Sequence, residues 1–127
     1  MEQMYRDNRD IAEFFLVYIS EAHAKNDIVP TYSAFKYGIR EPESLEERSE
    51  VAGKLARNKG LTMPCLVDDM DNQVAKSYRA WPDRVSLIDE GGRIGVTSPR
   101  GPAGIKRALK RAERWLEAYR ETLDEVR

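Results

Sequence analysis

The stretch Phe14-Phe15-Leu16-Val17-Tyr18-Ile19 decides the fold of this chain. It is a continuous run of aromatic, aliphatic and β-branched side chains, without the alternation of a strand that has one wet face. An unalternating run of this length predicts a strand buried on both faces, as in parallel sheets. We therefore expect an α/β fold in which other elements cover both faces of the strand.

A helix and a short strand come next among the recognisable elements. Ser44 and Glu47 form a capping box that opens a helix, and Gly60 is a good left-handed residue at its end. The helix is predicted to present Leu45, Ala52, Leu55 and Ala56 inward. The segment Pro64-Cys65-Leu66-Val67 is then a strand candidate.

The second half of the chain alternates in the same way. After a helix predicted to bury Val74, Ala75 and Tyr78, the pattern indicates a hairpin with strands in Arg84–Asp89 and Arg93–Thr97. The last helix carries a single apolar stripe. Its members are Ile105, Ala108, Leu109, Ala112, Trp115, Leu116, Tyr119 and Leu123. With a short helix over roughly Glu2 to Asp10, the order is helix, strand, helix, strand, helix, hairpin, helix.

Length and composition limit the class of protein. A chain of 127 residues predicts one domain, and a net charge of -1 gives no general attraction to nucleic acid or to an anionic membrane. No apolar run approaches the length of a membrane span, and no signal peptide is visible, so we expect a cytoplasmic protein. One cysteine and one histidine exclude an intrachain disulfide and argue against a structural zinc site. The sequence gives no sign of a cofactor.

Glu21 and His23 follow the decisive strand directly. Ligands of open α/β sheets bind beyond the carboxyl ends of the strands, and alternate residues of an extended chain face the same side. A carboxylate beside an imidazole can fix its tautomer and raise its pKa, which suits proton transfer near neutral pH. The alternative is a histidine in a surface turn that simply hydrogen-bonds to the carboxylate.

Three other features have a functional and a structural interpretation. Cys65 is either a thiol nucleophile or, as we favour, a small buried side chain. The acids Asp68, Asp69 and Asp71 suit the first turn of a helix better than a metal site. The loop around Arg100, at the start of a basic helix, is either an anion site or part of a solvated basic face.

Several motifs together resemble a known family. Val17–His23 resembles the Y-I-x-E-A-H signature of the iodothyronine deiodinases and their bacterial thioredoxin-fold relatives. Ser44–Arg48 is similar to the family's S-L-E-[DE]-R, and Val67–Asn72 to its V-D-x-M-D-N. Ala80–Arg84 resembles A-[WY]-P-E-R, and Gly101-Pro102 a later G-P turn.

The resemblance implies a thioredoxin-like three-layer sandwich with a mixed sheet. It places Pro82 where such folds carry a cis-proline beside the active site, with Trp81 next to it. It also implies that Glu21 and His23 handle protons or bind substrate in reductive deiodination.

The family's first strand and its catalytic selenocysteine or cysteine precede the matching segment, and no residue of this sequence matches that nucleophile. We therefore expect a sheet that lacks its first strand, and a chain that either self-associates, for example as a homodimer, or rearranges its sheet.

Two functions remain open at this point. One is a binding domain that takes a small aromatic or anionic ligand, or a protein partner, near Glu21, His23 and Arg100. The other is a thiol-dependent oxidoreductase that uses Cys65 or an upstream segment. A scaffold without a site of its own is a third and plainer interpretation.

Overall fold

The computed structural model describes residues 1–20, 41–99 and 101–126. The chain forms two compact units, one made of Met1–Phe14 with Asp83–Arg127 and the other of Phe15–Pro82. Within the described residues, each unit contains two helices and one two-stranded sheet. The chain is therefore a mixed α/β protein, and its elements follow the predicted order.

The sheet of the unit Phe15–Pro82 is built from β1 (Leu16–Tyr18) and β2 (Cys65–Val67), which pair in parallel. Leu16 lies opposite Cys65 and Tyr18 opposite Val67. The prediction of a strand buried on both faces is wrong, because the β1 side chains are half-buried and Phe15 is 51% exposed. A two-stranded ladder shields less of a strand than a wide sheet does.

Helix α2 (Leu45–Asn58) begins and ends as its sequence predicts. The Ser44 hydroxyl accepts the Glu47 amide at 3.1 Å, and the Glu47 carboxylate accepts the Glu43 amide at 2.9 Å. At the other end Gly60 has a φ of 62°, so its lack of a β-carbon allows the turn that closes the helix. Leu45, predicted to face inward, is 50% exposed, because the inward position of the first turn belongs to Arg48.

Helix α3 (Gln73–Ser77) follows β2 after a short loop. It buries Ala75 and half-buries Val74, as predicted. The predicted burial of Tyr78 is wrong, since this residue is the C-cap and its side chain is exposed. The chain reverses at the next residue, Arg79, which has a φ of 50°.

The other unit contains the predicted hairpin, with β3 (Ser86–Ile88) antiparallel to β4 (Ile94–Thr97). One carboxylate oxygen of Asp89 accepts the amides of Gly91 and Arg93, each at 2.9 Å, which stabilises the turn. A bulge between Leu87 and Ile88 shifts the register. Gly95 of β4 lies between the two residues that pair with Leu87 and Ile88. A β-carbon at Gly95 would lie 3.2 Å from the indole nitrogen of Trp115.

Helix α4 (Pro102–Val126) carries the predicted apolar stripe. Ala108, Ala112 and Leu116 are buried, while Trp115 and Tyr119 are half-buried and stack with ring centroids 5.2 Å apart. The small alanines let α4 approach the hairpin closely, and this packing forms the core of the unit.

The N-terminal helix α1 (Glu2–Asn8) belongs to the same unit. None of its side chains is fully buried. The Arg120 guanidinium of α4 holds the end of α1 by donating to both carboxylate oxygens of Asp10, at 2.7 and 2.8 Å, and to the carbonyl of Asp7 at 3.0 Å. An edge contact between the rings of Tyr5 and Phe14 joins α1 to the segment that follows it.

Candidate functional site

The carboxyl ends of β1 and β2 lie side by side, because the two strands run in parallel. The Asp68 amide donates to the carbonyl of Tyr18 at 2.9 Å, one residue past the end of β2. At the other end, the Leu16 amide donates to the carbonyl of Pro64 at 3.0 Å. The end of β1 at Tyr18 is therefore the position from which a ligand site of the α/β type would extend.

Three of the predicted site residues, Glu21, His23 and Arg100, lie outside the described residues. Glu21 and His23 follow Tyr18 by three and five positions in the sequence. Their role stays a prediction.

Asp68 and Asp69 cap α3, as predicted, but they precede the helix and do not stand in its first turn, while Asp71 is exposed. Asp68 is only 2% exposed, and its carboxylate accepts the amides of Val74 and Ala75 at 3.0 and 2.9 Å, while Asp69 accepts the amide of Gln73 at 3.0 Å. The first three amides of α3 are thus satisfied by the preceding loop, and not by the N-cap residue, Asn72. No group of three potential metal ligands occurs in the part of the chain that the structure describes.

Arg48 is the buried residue that sequence reasoning missed. It is 1% exposed, and one guanidinium nitrogen donates to the carbonyl oxygens of Asp68 and Asp69, at 3.2 and 2.6 Å. A second nitrogen lies 3.9 Å from a carboxylate oxygen of Glu41. We call the contacts of Arg48 with the backbone of Asp68 and Asp69 the Arg48–Asp68 clamp.

The sequence did contain a signal for this burial. Arg48 stands four residues before Ala52 and seven before Leu55, so it lies on the inward stripe of α2. The predicted inward stripe of this helix did not include Arg48. A charged residue at such a position is a buried cation that needs oxygen acceptors.

Trp81 and Pro82 lie at the end of the unit Phe15–Pro82. The peptide bond between them is cis, the isomer that the resemblance implied. Both side chains are exposed, and that of Trp81 is 46% exposed. Their part in binding a substrate stays a prediction.

Cys65 lies on β2 opposite Leu16 of β1. It is half-buried, so the favoured interpretation of a buried side chain holds only in part. Its sulfur is 3.5 Å from the carbonyl of Met63, to which the thiol donates.

Arg100 stands between two described residues that are held firmly in the unit containing α4. The buried Ser98 donates its amide to the carbonyl of Val85 at 3.0 Å, and its hydroxyl accepts the Val85 amide at 2.9 Å. The Asp83 carboxylate accepts the amide of Gly101 at 2.6 Å. Ser98 and Gly101 are thereby attached to the segment that enters β3.

Comparison with known proteins adds to this geometry. The family model for iodothyronine deiodinase matches residues 1–120, nearly the whole chain. The chain belongs to the iodothyronine deiodinase family. The motifs quoted for the resemblance therefore belong to a true family match.

Individual deiodinases align over the same region. The chain is 35% identical to the thyroxine 5-deiodinase of Gallus gallus over 114 residues, which are 90% of this chain and 42% of that protein. It is 33% identical to the type II iodothyronine deiodinase of Fundulus heteroclitus over 118 residues, 91% of this chain and 43% of that protein. It is 32% identical to the thyroxine 5-deiodinase of Bos taurus over 115 residues, which are 91% of this chain and 36% of that protein.

The chain thus spans about two fifths of the length of the curated deiodinases it matches. These relatives are vertebrate proteins, and the likeness to bacterial members of the family stays a prediction. In the described segments of the chain, no helix is both long and apolar enough to cross a membrane.

Proposed function

We propose that this member of the deiodinase family is a binding domain for a small aromatic or anionic ligand. The family match over residues 1–120 is the observation that carries the proposal. Relatives named for thyroxine make an iodinated phenol that also bears a charged group the first ligand to test. Binding is the function to which the candidate residues of this sequence, Glu21, His23 and Arg100, could contribute directly.

The proposed site extends from the carboxyl end of β1. Glu21 would accept a hydrogen bond from the phenol of the ligand, because an ionised carboxylate only accepts. His23 could either donate or accept one, because a neutral imidazole has one donor and one acceptor nitrogen. Arg100, Trp81 and Pro82 stay candidates from the sequence alone: a guanidinium can pair with an anionic group, and an indole or a proline ring offers apolar surface.

Thyroxine binding can be followed through the imidazole signal of His23, which is the sole histidine and therefore needs no assignment. We expect thyroxine to shift this signal in a saturable manner, and Glu21→Gln to weaken the binding. Glu13→Gln is the matched control, because Glu13 is exposed and precedes β1. A histidine signal that stays unchanged up to the solubility limit of thyroxine would count against the proposal.

A thiol-dependent reductive dehalogenase is the second candidate, favoured by the partial exposure of Cys65. Its thiolate would attack the iodine, so that an S–I bond forms, the C–I bond breaks and the ring carbon takes a proton. An added thiol would then attack the sulfur, which forms a disulfide and releases iodide. A second thiol would restore Cys65, so that two thiols are oxidised for each iodide released.

Iodide release distinguishes the two candidates. Release from thyroxine with dithiothreitol that is lost in Cys65→Ser would assign the nucleophile to Cys65. Release from a longer chain alone, one that includes a strand and a cysteine or selenocysteine codon upstream of Met1, would assign it to that segment. Binding without release supports the binding domain.

The fold and assembly proposals follow from the same family match. We propose that the chain is a single thioredoxin-like domain with a mixed sheet, and that it forms a homodimer or a larger assembly. Exposed apolar side chains at the β1–β2 sheet, Phe15 and Leu66, support self-association. A monomer by light scattering would refute the assembly proposal.

A further inference from the structure

We propose that the solvent-exposed face of α4 is a dimerisation surface, on which a second copy of this chain docks with its own α4 in the opposite direction. The inference rests on the self-association proposed above. It goes further because it names the surface, the direction of the two helices and the residues that pair. It is independent of the ligand.

Helix α4 has one covered side and one exposed side. Ala108, Ala112 and Leu116 are buried on the side that packs in the core of the unit. The charged side chains from Lys106 to Glu125 are all exposed except that of Arg120, which binds Asp10. We call these exposed charged residues the outer face of α4.

The charges of this helix are separated by sign along its axis. Residues 106–114 contain five basic side chains and one acid, whereas residues 117–125 contain four acids and one base, Arg120. The centres of the two groups lie about 16 Å apart at the rise of an α-helix. The outer face is therefore basic in its first half and acidic in its second, although the whole chain has a net charge of only -1.

This pattern is unfavourable within a single helix. Like charges follow one another at four-residue intervals in two rows: Lys106, Lys110 and Arg114, then Glu117, Glu121 and Glu125. Like charges at this spacing repel each other on a helix surface. The first turn of α4 has no acid and the last turn no base, so the charges do not complement the helix dipole either.

The two rows are not compensated inside the copy to which they belong. In the segments of the chain that the structure describes, the ion pairs involve Arg6, Arg48 and Arg120, and no member of either row takes part in one. Both rows therefore present unpaired charges to an approaching molecule.

The sequence of α4 is charge-complementary to itself when reversed. The midpoint between the rows falls between Trp115 and Leu116. Each cation stands as far before this midpoint as one acid stands after it: Arg114 with Glu117, Lys110 with Glu121, and Lys106 with Glu125. A two-fold axis through the midpoint, perpendicular to the helix, brings each cation of one copy beside the matching acid of the other. Parallel helices would instead place like charges together.

This charge order favours a second copy over a polyanion as the partner. A nucleic acid or an anionic membrane would be attracted by residues 106–114 and repelled by residues 117–125. A reversed second copy matches both halves at once. The methylene stems of the lysines and arginines also supply apolar contact area, and the exposed Ala118 near the midpoint adds little bulk between the helices.

The first measurement is sedimentation equilibrium of the intact chain at two ionic strengths. We expect a dimer whose dissociation constant rises by about tenfold or more between about 0.1 M and about 1 M NaCl, because the Debye length falls from about 10 Å to about 3 Å. A dimer held by apolar contacts would persist or become tighter at high salt.

Charge reversal tests the pairing and its direction. Lys110→Glu and Glu121→Lys should each raise the dissociation constant of the homodimer by about tenfold or more, since each places like charges opposite one another twice. An equimolar mixture of the two variants should associate like the wild type, because the reversed charges then face each other in an antiparallel pair. Parallel helices would not show this rescue.

Lys54→Glu and Glu50→Lys are the matched controls. Both change exposed residues of α2, four positions apart, and should leave the dissociation constant unchanged. The unfolding temperatures of all variants verify that the fold is retained, and the salt dependence of the wild type needs no variant at all.

The proposal and the one on which it rests fail separately. A wild-type chain that stays monomeric overturns both, whether or not it binds a polyanion such as heparin. A dimer that resists salt and both charge reversals, but dissociates in Leu66→Ser, would place the interface on the β1–β2 sheet. Self-association would then stand and the role of α4 would be refuted, as it would if the mixture of variants failed to associate.

Discussion

Asp68 shows that a cap need not stand at the N-cap position. Its carboxylate reaches α3 from five residues before the first helical residue, and it accepts two helix amides and the amide of Asp69. Buried amides without acceptors cost free energy. The carboxylate therefore explains why a five-residue helix forms at this place.

Asp68→Asn should lower the free energy of unfolding by about 1–3 kcal/mol, because the new NH₂ group faces backbone N–H groups and leaves a buried donor unsatisfied. Urea denaturation measures the loss. Asp71→Asn, at an exposed position, should leave the unfolding curve nearly unchanged. Equal curves for the two variants would contradict the capping role.

Tyr119 provides a residue-scale test of pH dependence. Its hydroxyl donates to the Glu90 carboxylate at 3.2 Å, and this hydrogen bond raises the pKa of Tyr119 above the ordinary value of 10.0. A raised pKa means that the folded state favours the neutral phenol. The stabilising contribution is complete below pH 10.0 and is lost as the pH rises through the folded-state pKa.

Tyr119→Phe should therefore lower the unfolding temperature at about pH 8 and have a smaller effect at about pH 11. Thermal denaturation at both pH values measures the difference. Tyr78→Phe serves as the control, since the Tyr78 side chain is exposed. A Tyr119→Phe effect that grows with pH would show that the sign is wrong.

At the scale of elements, local patterns predicted the helices and the hairpin, but they predicted burial wrongly at two helix ends. The stripe of α4, the capping box of α2 and the hairpin turn follow from residues close together in sequence, so periodicity and turn chemistry predicted them. Leu45 and Tyr78 were assigned to the interior because they continue an apolar stripe. Leu45 lies in the first turn of α2 and Tyr78 at the C-cap of α3. At such ends the helical period no longer determines which side chains are buried.

Two glycines of the α2 region give predictions of opposite sign. Gly60→Ala should destabilise the protein by about 1–2 kcal/mol, because an L-residue is strained at a φ of 62° while no neighbouring atom lies within 4 Å to add a clash.

Gly53→Ala should instead stabilise by about 0.5–1 kcal/mol, since alanine favours a helix interior and the nearest atom is the flexible end of Arg57. Chemical denaturation of both variants provides the measurement. If both variants change the free energy of unfolding in the same direction, the space around each glycine, and not its backbone conformation, determines the effect.

The attachment of α1 is the second element-scale prediction. Arg120→Lys keeps the charge but loses the paired bonds to Asp10, so the amides of α1 should exchange their hydrogens faster. Mass spectrometry of the peptide that contains α1 measures the rate. Arg114→Lys, at an exposed position of α4, is the control, and equal exchange in the two variants would refute the attachment.

At the scale of the whole molecule, local patterns were insufficient. The parallel pairing of β1 with β2 joins residues far apart in sequence. The run Phe14–Ile19 does not reveal how many strands the sheet contains. The same limit explains Arg48, whose acceptors are carbonyls of a loop twenty residues away. Family motifs helped because each match carries three-dimensional information that composition lacks, as the cis bond before Pro82 illustrates.

The sequence has two tryptophans, and the two compact units hold one each. Trp81 is largely exposed, whereas Trp115 is half-buried and stacked on Tyr119. Each unit therefore has its own chromophore, with a different solvent environment and hence a different emission. Trp81→Phe and Trp115→Phe would each leave a single tryptophan in the intact chain, so that its fluorescence follows one unit. Overlap or separation of the two melting curves would show whether the units unfold together.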